Sequence, residues 1–235
     1  RKVEGIKKLE TQPGKISGRL VAELKSVSKS FDDMIILNNV STKVMRGDRI
    51  GIIGTNGCGK STFLKILIGQ ISLDSGKIDL GTNLEVLFFD QARETLDPEK
   101  TLWETLCDSG GDHINVRGES KHIVGYLKDF LFHPNQIRSP IKSLSGGEKS
   151  RLILAKFLAK PSNLMILDEP TNDLDMETLD LLQEMLSDYD GTILLVSHDR
   201  DFLDRTISST LVFEGEGVIQ AYAGGYSDYL SQRCH

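Results

Sequence analysis

One nine-residue stretch narrows the possible folds more than any other: Gly54-Thr55-Asn56-Gly57-Cys58-Gly59-Lys60-Ser61-Thr62. It follows the apolar run at residues 50–53 and opens "KSTFLKILIG", whose apolar residues recur at helical spacing. Strand, glycine loop and helix in that order, with the spacing GxxxxGK[ST], form the pattern of a phosphate-binding loop. The glycines let successive N–H groups turn toward one anion, and the helix N-terminus adds its positive end. Lys60 then neutralises β- and γ-phosphate charge, Ser61 offers a hydroxyl to Mg²⁺, and Thr62 reaches the α-phosphate. Such a loop needs a strand behind it and a helix in front, so it commits the chain to an α/β architecture.

The rest of the chain supplies matching strands. "NLMILDE" and "TILLVSHD" are continuous apolar runs without alternation, as expected of parallel strands buried on both faces. The first ends in Asp168 and Glu169, and a carboxylate at that end of a strand beside a phosphate loop is placed to hold Mg²⁺. Asp168 is therefore the metal candidate, while Glu169, one residue further out, is placed to polarise a water. Taken alone, Asp-Glu-Pro is also an ordinary solvated strand end. The second run ends in His198, which would lie beside Glu169 if the two strands pair, because ligands of open α/β sheets bind at the carboxyl ends of strands.

Upstream, "LVAELKSVSKSF" and "NNVSTKVMRGDRIGIIG" read as strands separated by turn signals, and residues 77–89 as strands again. Between Thr101 and Pro140 the spacing of apolar residues predicts helices, in a helical subdomain of about residues 92–150. Phe31, before the loop, is either a strand-end core aromatic or a ring for stacking a base. Gln91 follows the strand "VLFFD", from where a glutamine reaches the metal or the attacking water. A second glycine-rich stretch, "SLSGGEKSR", resembles another phosphate cradle at the start of a helix.

Composition excludes some classes. No run approaches the eighteen or so apolar residues of a membrane helix, so the chain is not expected to insert in a bilayer. Cys58, Cys107 and Cys234 are odd in number and lack zinc or disulfide spacing, which suits a reducing cytoplasm. The net charge of -6 is uneven: residues 1–29 hold eight Lys/Arg against three Asp/Glu, so an acidic body follows a basic start. The basic start fits a solvated linker or a phosphate contact. The sequence opens at Arg1 rather than Met, as a piece of a longer chain would.

The motif order, phosphate loop, Gln91, "LSGGE", "LMILDEP", "NDLD" and "SHD", resembles the ATP-binding cassette (ABC) ATPases over residues 19–222. The resemblance implies a P-loop NTPase with a RecA-like parallel-sheet core, an antiparallel β-subdomain and an α-helical signature subdomain, using ATP and Mg²⁺. It makes Gly54, Thr55, Asn56, Gly57, Cys58, Gly59, Lys60, Ser61 and Thr62 the Walker A loop and Phe31 the adenine-stacking ring, in place of the usual tyrosine. Gln91 becomes the Q-loop residue and Ser145, Gly146 and Gly147 the signature. Asp168 and Glu169 become the Walker B pair, Asp175 the D-loop aspartate and His198 the switch histidine. Metal ligation then falls to Ser61, Gln91 and Asp168, and catalysis to Glu169, His198, Lys60 and Gln91.

"LDEPTNDLD", "SHDRDFLD" and "AYAGGYSDYL" resemble the ABC-F family, soluble duplicated cassettes that generally act on ribosomes, most of all the second cassette of its Uup-type members. Residues 1–18 are then the tail of a linker and residues 223–235 a C-terminal helical tail. The expected partners are a second cassette, in the same full-length chain or as a second copy of this one, and either a ribosome or branched DNA. The alternative is the ATP-binding subunit of a membrane transporter.

Overall fold

The computed structural model describes residues 17–90, 95–107 and 110–233. Its centre is a six-stranded sheet. After an antiparallel pair, β1 (Leu20–Phe31) and β2 (Met34–Met45), the chain enters the sheet as β3 (Arg49–Ile53) and leaves it through helix α1 (Lys60–Leu67). β4 (Ser75–Leu80) joins β1 and β2 in a three-stranded antiparallel sheet, and β5 (Val86–Asp90) returns to the central one. Next come α2 (Leu102–Leu106), β6 (His113–Val116), β7 (Glu119–His122), α3 (Ile123–Asp129) and α4 (Gly146–Leu158). The last part runs β8 (Leu164–Asp168), α5 (Met176–Ser187), β9 (Thr192–Val196), α6 (Arg200–Thr206), β10 (Ser209–Gly215), β11 (Val218–Ala223) and α7 (Tyr226–Arg233).

The central order is β11-β10-β3-β9-β8-β5. Every neighbouring pair is parallel except β10 with β11. Two-sided burial explains the unbroken apolar runs. Met165, Leu167, Ile193 and Leu195 face the core shared with α4, α5 and α6. Their alternates Leu164, Ile166, Leu194 and Val196 face the other core, with α1 and the antiparallel sheet. There Phe63, Leu64, Ile66 and Leu67 of α1 pack among Val21, Leu24, Val27, Ile36 and Leu37. At roughly 1.5–3 kcal/mol per buried large apolar side chain, this packing fixes α1, and with it the start of the phosphate loop.

The segment expected to be helical holds α2 and α3 and departs from expectation between them. Residues 113–122 form a two-stranded hairpin, with His113 opposite His122. Its turn places both Arg117 (φ 52°) and Gly118 (φ 93°) in the left-handed region, as a two-residue type I′ turn does. The Asn115 side chain accepts the Gly118 N–H at 2.8 Å and closes the turn. Arginine is an unusual residue for that first turn position, so the apolar spacing on either side read as helix.

Candidate nucleotide site

A cleft of about 570 Å³ opens at the carboxyl ends of the central strands. The glycine loop forms one wall with Asn56, Gly57, Gly59, Lys60, Ser61 and Thr62, and Asp168, Glu169, Asn172 and His198 stand along the other. Phe31, Met34 and Ile36 of the β1–β2 pair also line it. The structure thus brings Phe31, most of the loop, Asp168, Glu169 and His198 around one space. Ser145, Gly146, Gly147 and Asp175 do not line it, and Gln91 lies outside the described residues.

The loop geometry follows from its residue types. Gly59 caps α1 at φ 103°, a conformation L side chains rarely adopt, and a Cβ there would come 2.7 Å from the Ile36 side chain. Among the described residues no side chain caps α1. Its first amides therefore have no local acceptor, which is the condition for receiving an anion. The nearly buried Lys60 bends back over the loop, donating to the carbonyls of Gly54 at 2.8 Å and Thr55 at 2.9 Å. These bonds hold the ammonium in the loop's concavity.

Parallel pairing of β8 with β9 sets Asp168 opposite Val196 and carries Glu169 and His198 to adjacent strand ends. The Glu169 N–H donates to the Val196 carbonyl at 2.9 Å, and its φ of 51° turns the side chain out of the strand path. His198 Nε2 lies 3.0 Å from Glu169 Oε1, while Oε2 is buried with no hydrogen-bond partner among the described residues. Burial pushes the Glu169 carboxyl above the ordinary glutamate range; the charges of His198 and Lys60 oppose this, and Asp168 adds to it. A raised carboxyl with one unsatisfied oxygen facing a phosphate loop is suited to accepting a proton. Beneath His198, the Ser197 and Thr171 hydroxyls are 2.9 Å apart and tie the two strand ends together.

Phe31 is 45 % exposed at the cleft mouth, with the Lys29 ammonium 4.9 Å from its ring centroid. Of the two readings of this residue, an exposed ring at the cleft is what the fold provides. Sequence reasoning missed Met34, Ile36 and Asn172 as lining residues. Asn172 sat in a quoted motif, whereas nothing in the spacing of Met34 and Ile36 separates them from core positions.

The second glycine stretch is built differently. Ser145 is the N-cap of α4: its hydroxyl accepts the Glu148 N–H at 3.2 Å, and the Glu148 carboxylate accepts the Ser145 N–H at 2.7 Å. This reciprocal capping box holds Glu148 below the usual glutamate range, chiefly through the Ser145 N–H. Gln136 donates to the other Glu148 oxygen at 2.6 Å. Gly147 lies close against Asp175: a Cβ there would come 2.4 Å from Asp175 Oδ2, so the carboxylate would have to shift. Asp175 itself caps α5 by accepting the Thr178 N–H at 2.8 Å.

With this geometry established, the comparisons with known proteins fall into place. A family model described as "ABC transporter" matches residues 37–172, more than half of the chain. The chain belongs to this family. It is 50% identical over 230 residues to the ATP-binding protein Uup of Caulobacter vibrioides, covering 98% of this chain and 38% of that protein. It is 38% identical over 217 residues to the energy-dependent translational throttle protein EttA of Haemophilus influenzae, covering 92% of this chain and 39% of that one. The chain therefore spans less than two fifths of the length of either relative. Among solved structures, an ATP binding subunit of an ABC transporter superposes with a TM-score of 0.67 at 24% identity, over 91% of this chain and 93% of that one. That likeness supports the P-loop fold: a mainly parallel sheet with an antiparallel sheet and helices around it. No helix among the described residues is long and apolar enough to cross a membrane.

Proposed function

We propose that the cleft binds Mg-ATP and hydrolyses it, and that this cassette works by closing on a second one. The observation that carries the reading is the half-buried, raised Glu169 carboxyl, 3.0 Å from His198, across a cleft from the uncapped α1 and its loop lysine. Lys60 and the loop amides neutralise the phosphates, and Phe31 offers a face for the adenine ring. Ser61 and Asp168, with Gln91, are the residues to hold Mg²⁺; a hydroxyl and a carboxylate on facing walls form the hard oxygen set that this ion prefers. Bound there, the ion would offset the charge of the β- and γ-phosphates.

Glu169 accepts a proton from water as the water oxygen bonds to the γ-phosphorus. The bond from that phosphorus to the β–γ bridging oxygen breaks, leaving ADP and phosphate. His198 holds Glu169 and the water in line. The Glu169→Gln change should leave ATP binding intact and slow turnover by about 10²- to 10⁴-fold, the usual worth of a general base. Single-turnover hydrolysis at the parental rate in that variant would remove Glu169 from the role.

Residues 19–222 form the cassette, with the helical unit at about residues 92–150 carrying the signature, a linker tail at 1–18 and a helical tail at 223–235. Ser145, Gly146, Gly147 and Asp175 lie away from the chain's own cleft and are assigned to the ATP of the second cassette. Translation is the favoured setting, because one relative is named as a translational throttle and the chain aligns with it over most of its length. The complete polypeptide carrying Glu169→Gln should co-sediment with ribosomes in ATP. Binding to branched DNA alone, or co-purification with a membrane protein, would replace that setting with the DNA or transporter alternative. The expected compartment is the cytoplasm.

A further inference from the structure

A second cavity, of about 560 Å³, adjoins the nucleotide cleft and shares Asn56, Lys60 and His198 with it. One wall is the phosphate loop, with Gly54 and Thr55, and another is helix α7, with Tyr226, Tyr229, Leu230 and Arg233. The helix thus faces the phosphate loop across open space; it is tied to β11, where Gln232 donates to the Ala223 carbonyl at 2.8 Å, and to α6, the element that follows His198. The Ser227 N–H donates to Asp204 Oδ1 at 3.0 Å, and its hydroxyl donates to Oδ2. The Arg200 guanidinium lies over the Tyr226 ring at 5.1 Å.

Arg200 is the first residue of α6 and stands two positions after His198. The residues flanking His198 are both tied down. Asp199 caps α6 by accepting the Phe202 N–H at 2.9 Å, and its own N–H donates to the Ser197 hydroxyl at 3.1 Å. Ser197 in turn meets Thr171, on the segment that follows Glu169. The imidazole itself is more than half exposed. Its position against Glu169 therefore depends on how firmly the start of α6 is held.

We propose that Arg200 and Tyr226 are positioning residues for hydrolysis: their stacked pair clamps the start of α6 against α7 and so keeps His198 aligned on Glu169. This rests on reading the cleft as the ATP site. Neither Arg200 nor Tyr226 lines that cleft, so the clamp acts on turnover and not on binding. One cation–π contact corresponds to about a 2- to 30-fold change in rate.

The test uses the complete polypeptide, with ATP turnover and equilibrium ATP affinity measured together. Tyr226→Ala should lower kcat within that range while KM and Kd stay within about twofold, and Tyr226→Phe, which keeps the ring, should restore it. Arg200→Gln removes the same contact from the exposed side and should match Tyr226→Ala, which guards against misfolding of a single variant. In a His198→Ala background, Tyr226→Ala should cost little more, because coupled residues are non-additive. The clamp is overturned if kcat is unchanged in both variants, if Kd rises in step with the loss, if Phe fails to rescue, or if the losses simply add. If the parent protein does not hydrolyse ATP, the functional reading falls with it. If His198→Ala slows turnover and Tyr226→Ala does not, the clamp alone falls.

Discussion

The two glycine-rich helix starts of this chain look alike in sequence and are opposite in construction. At α1 the N-cap is Gly59 in a left-handed conformation with no capping side chain, and the helix amides face a cleft with Lys60 folded over them. At α4 the N-cap is Ser145, and Glu148 closes a reciprocal box that satisfies the third helical amide and sets a carboxylate at the positive end of the helix. The first start is open to an anion. The second is already partly satisfied and leaves the Gly146 and Gly147 amides and the Ser145 hydroxyl hydrogen as its donors. A phosphate held there would need a partner to bring it, which is consistent with the assignment of the signature to a second cassette.

The largest expected break in this contrast comes from Lys60→Ala. Removing a charge-assisted donor from the open loop should weaken ATP binding by about 10- to 100-fold, measured by calorimetric titration, while the fold persists. An unchanged affinity would mean that the triphosphate does not sit on this loop. Ser145→Ala should do the reverse: lower stability by about 1 kcal/mol in denaturant unfolding, with ATP affinity of the single cassette unchanged. A matching loss of affinity in the isolated cassette would show that the signature serves its own cleft and erase the distinction.

The smallest effect is with pH. Glu148 titrates lower in the folded chain than unfolded because the Ser145 N–H favours its ionised form. Its contribution is fully present above the ordinary glutamate pKa and is lost as pH falls through the lowered folded value. Glu169 has the opposite sign: its raised carboxyl is stabilised in the protonated form, so it opposes folding increasingly as pH rises through the unfolded value, until both states are ionised. Substituting Glu148 by Gln should flatten the acid side of a stability–pH profile, and Glu169→Gln should raise stability near neutrality. A profile that responds the same way to both changes would contradict the difference in their surroundings.

How much of this was legible beforehand depended on whether the chemistry is local. The phosphate loop was readable because every feature it needs lies within nine consecutive residues, and the buried parallel strands because two-sided burial leaves an unbroken apolar run. The capping box was also written in the sequence, as Ser145 followed three positions later by Glu148 with the two glycines between them. The hairpin at residues 113–122 was hidden because Arg117-Gly118 is a weak turn signal and the flanking apolar spacing imitates a helix.

By itself, then, the sequence determined the phosphate loop, the order of strands and helices around it and the pair of carboxylates at the end of β8, since each depends on neighbours along the chain. The tertiary structure decided the rest. Parallel pairing of β8 with β9 put His198 on Glu169, although 28 positions separate them. Packing of α5 against α4 placed the Asp175 carboxylate against Gly147, and folding of α7 onto α6 brought Tyr226 under Arg200. These contacts join residues distant in sequence, and their energies exist only once the burial of two apolar cores has brought the elements together.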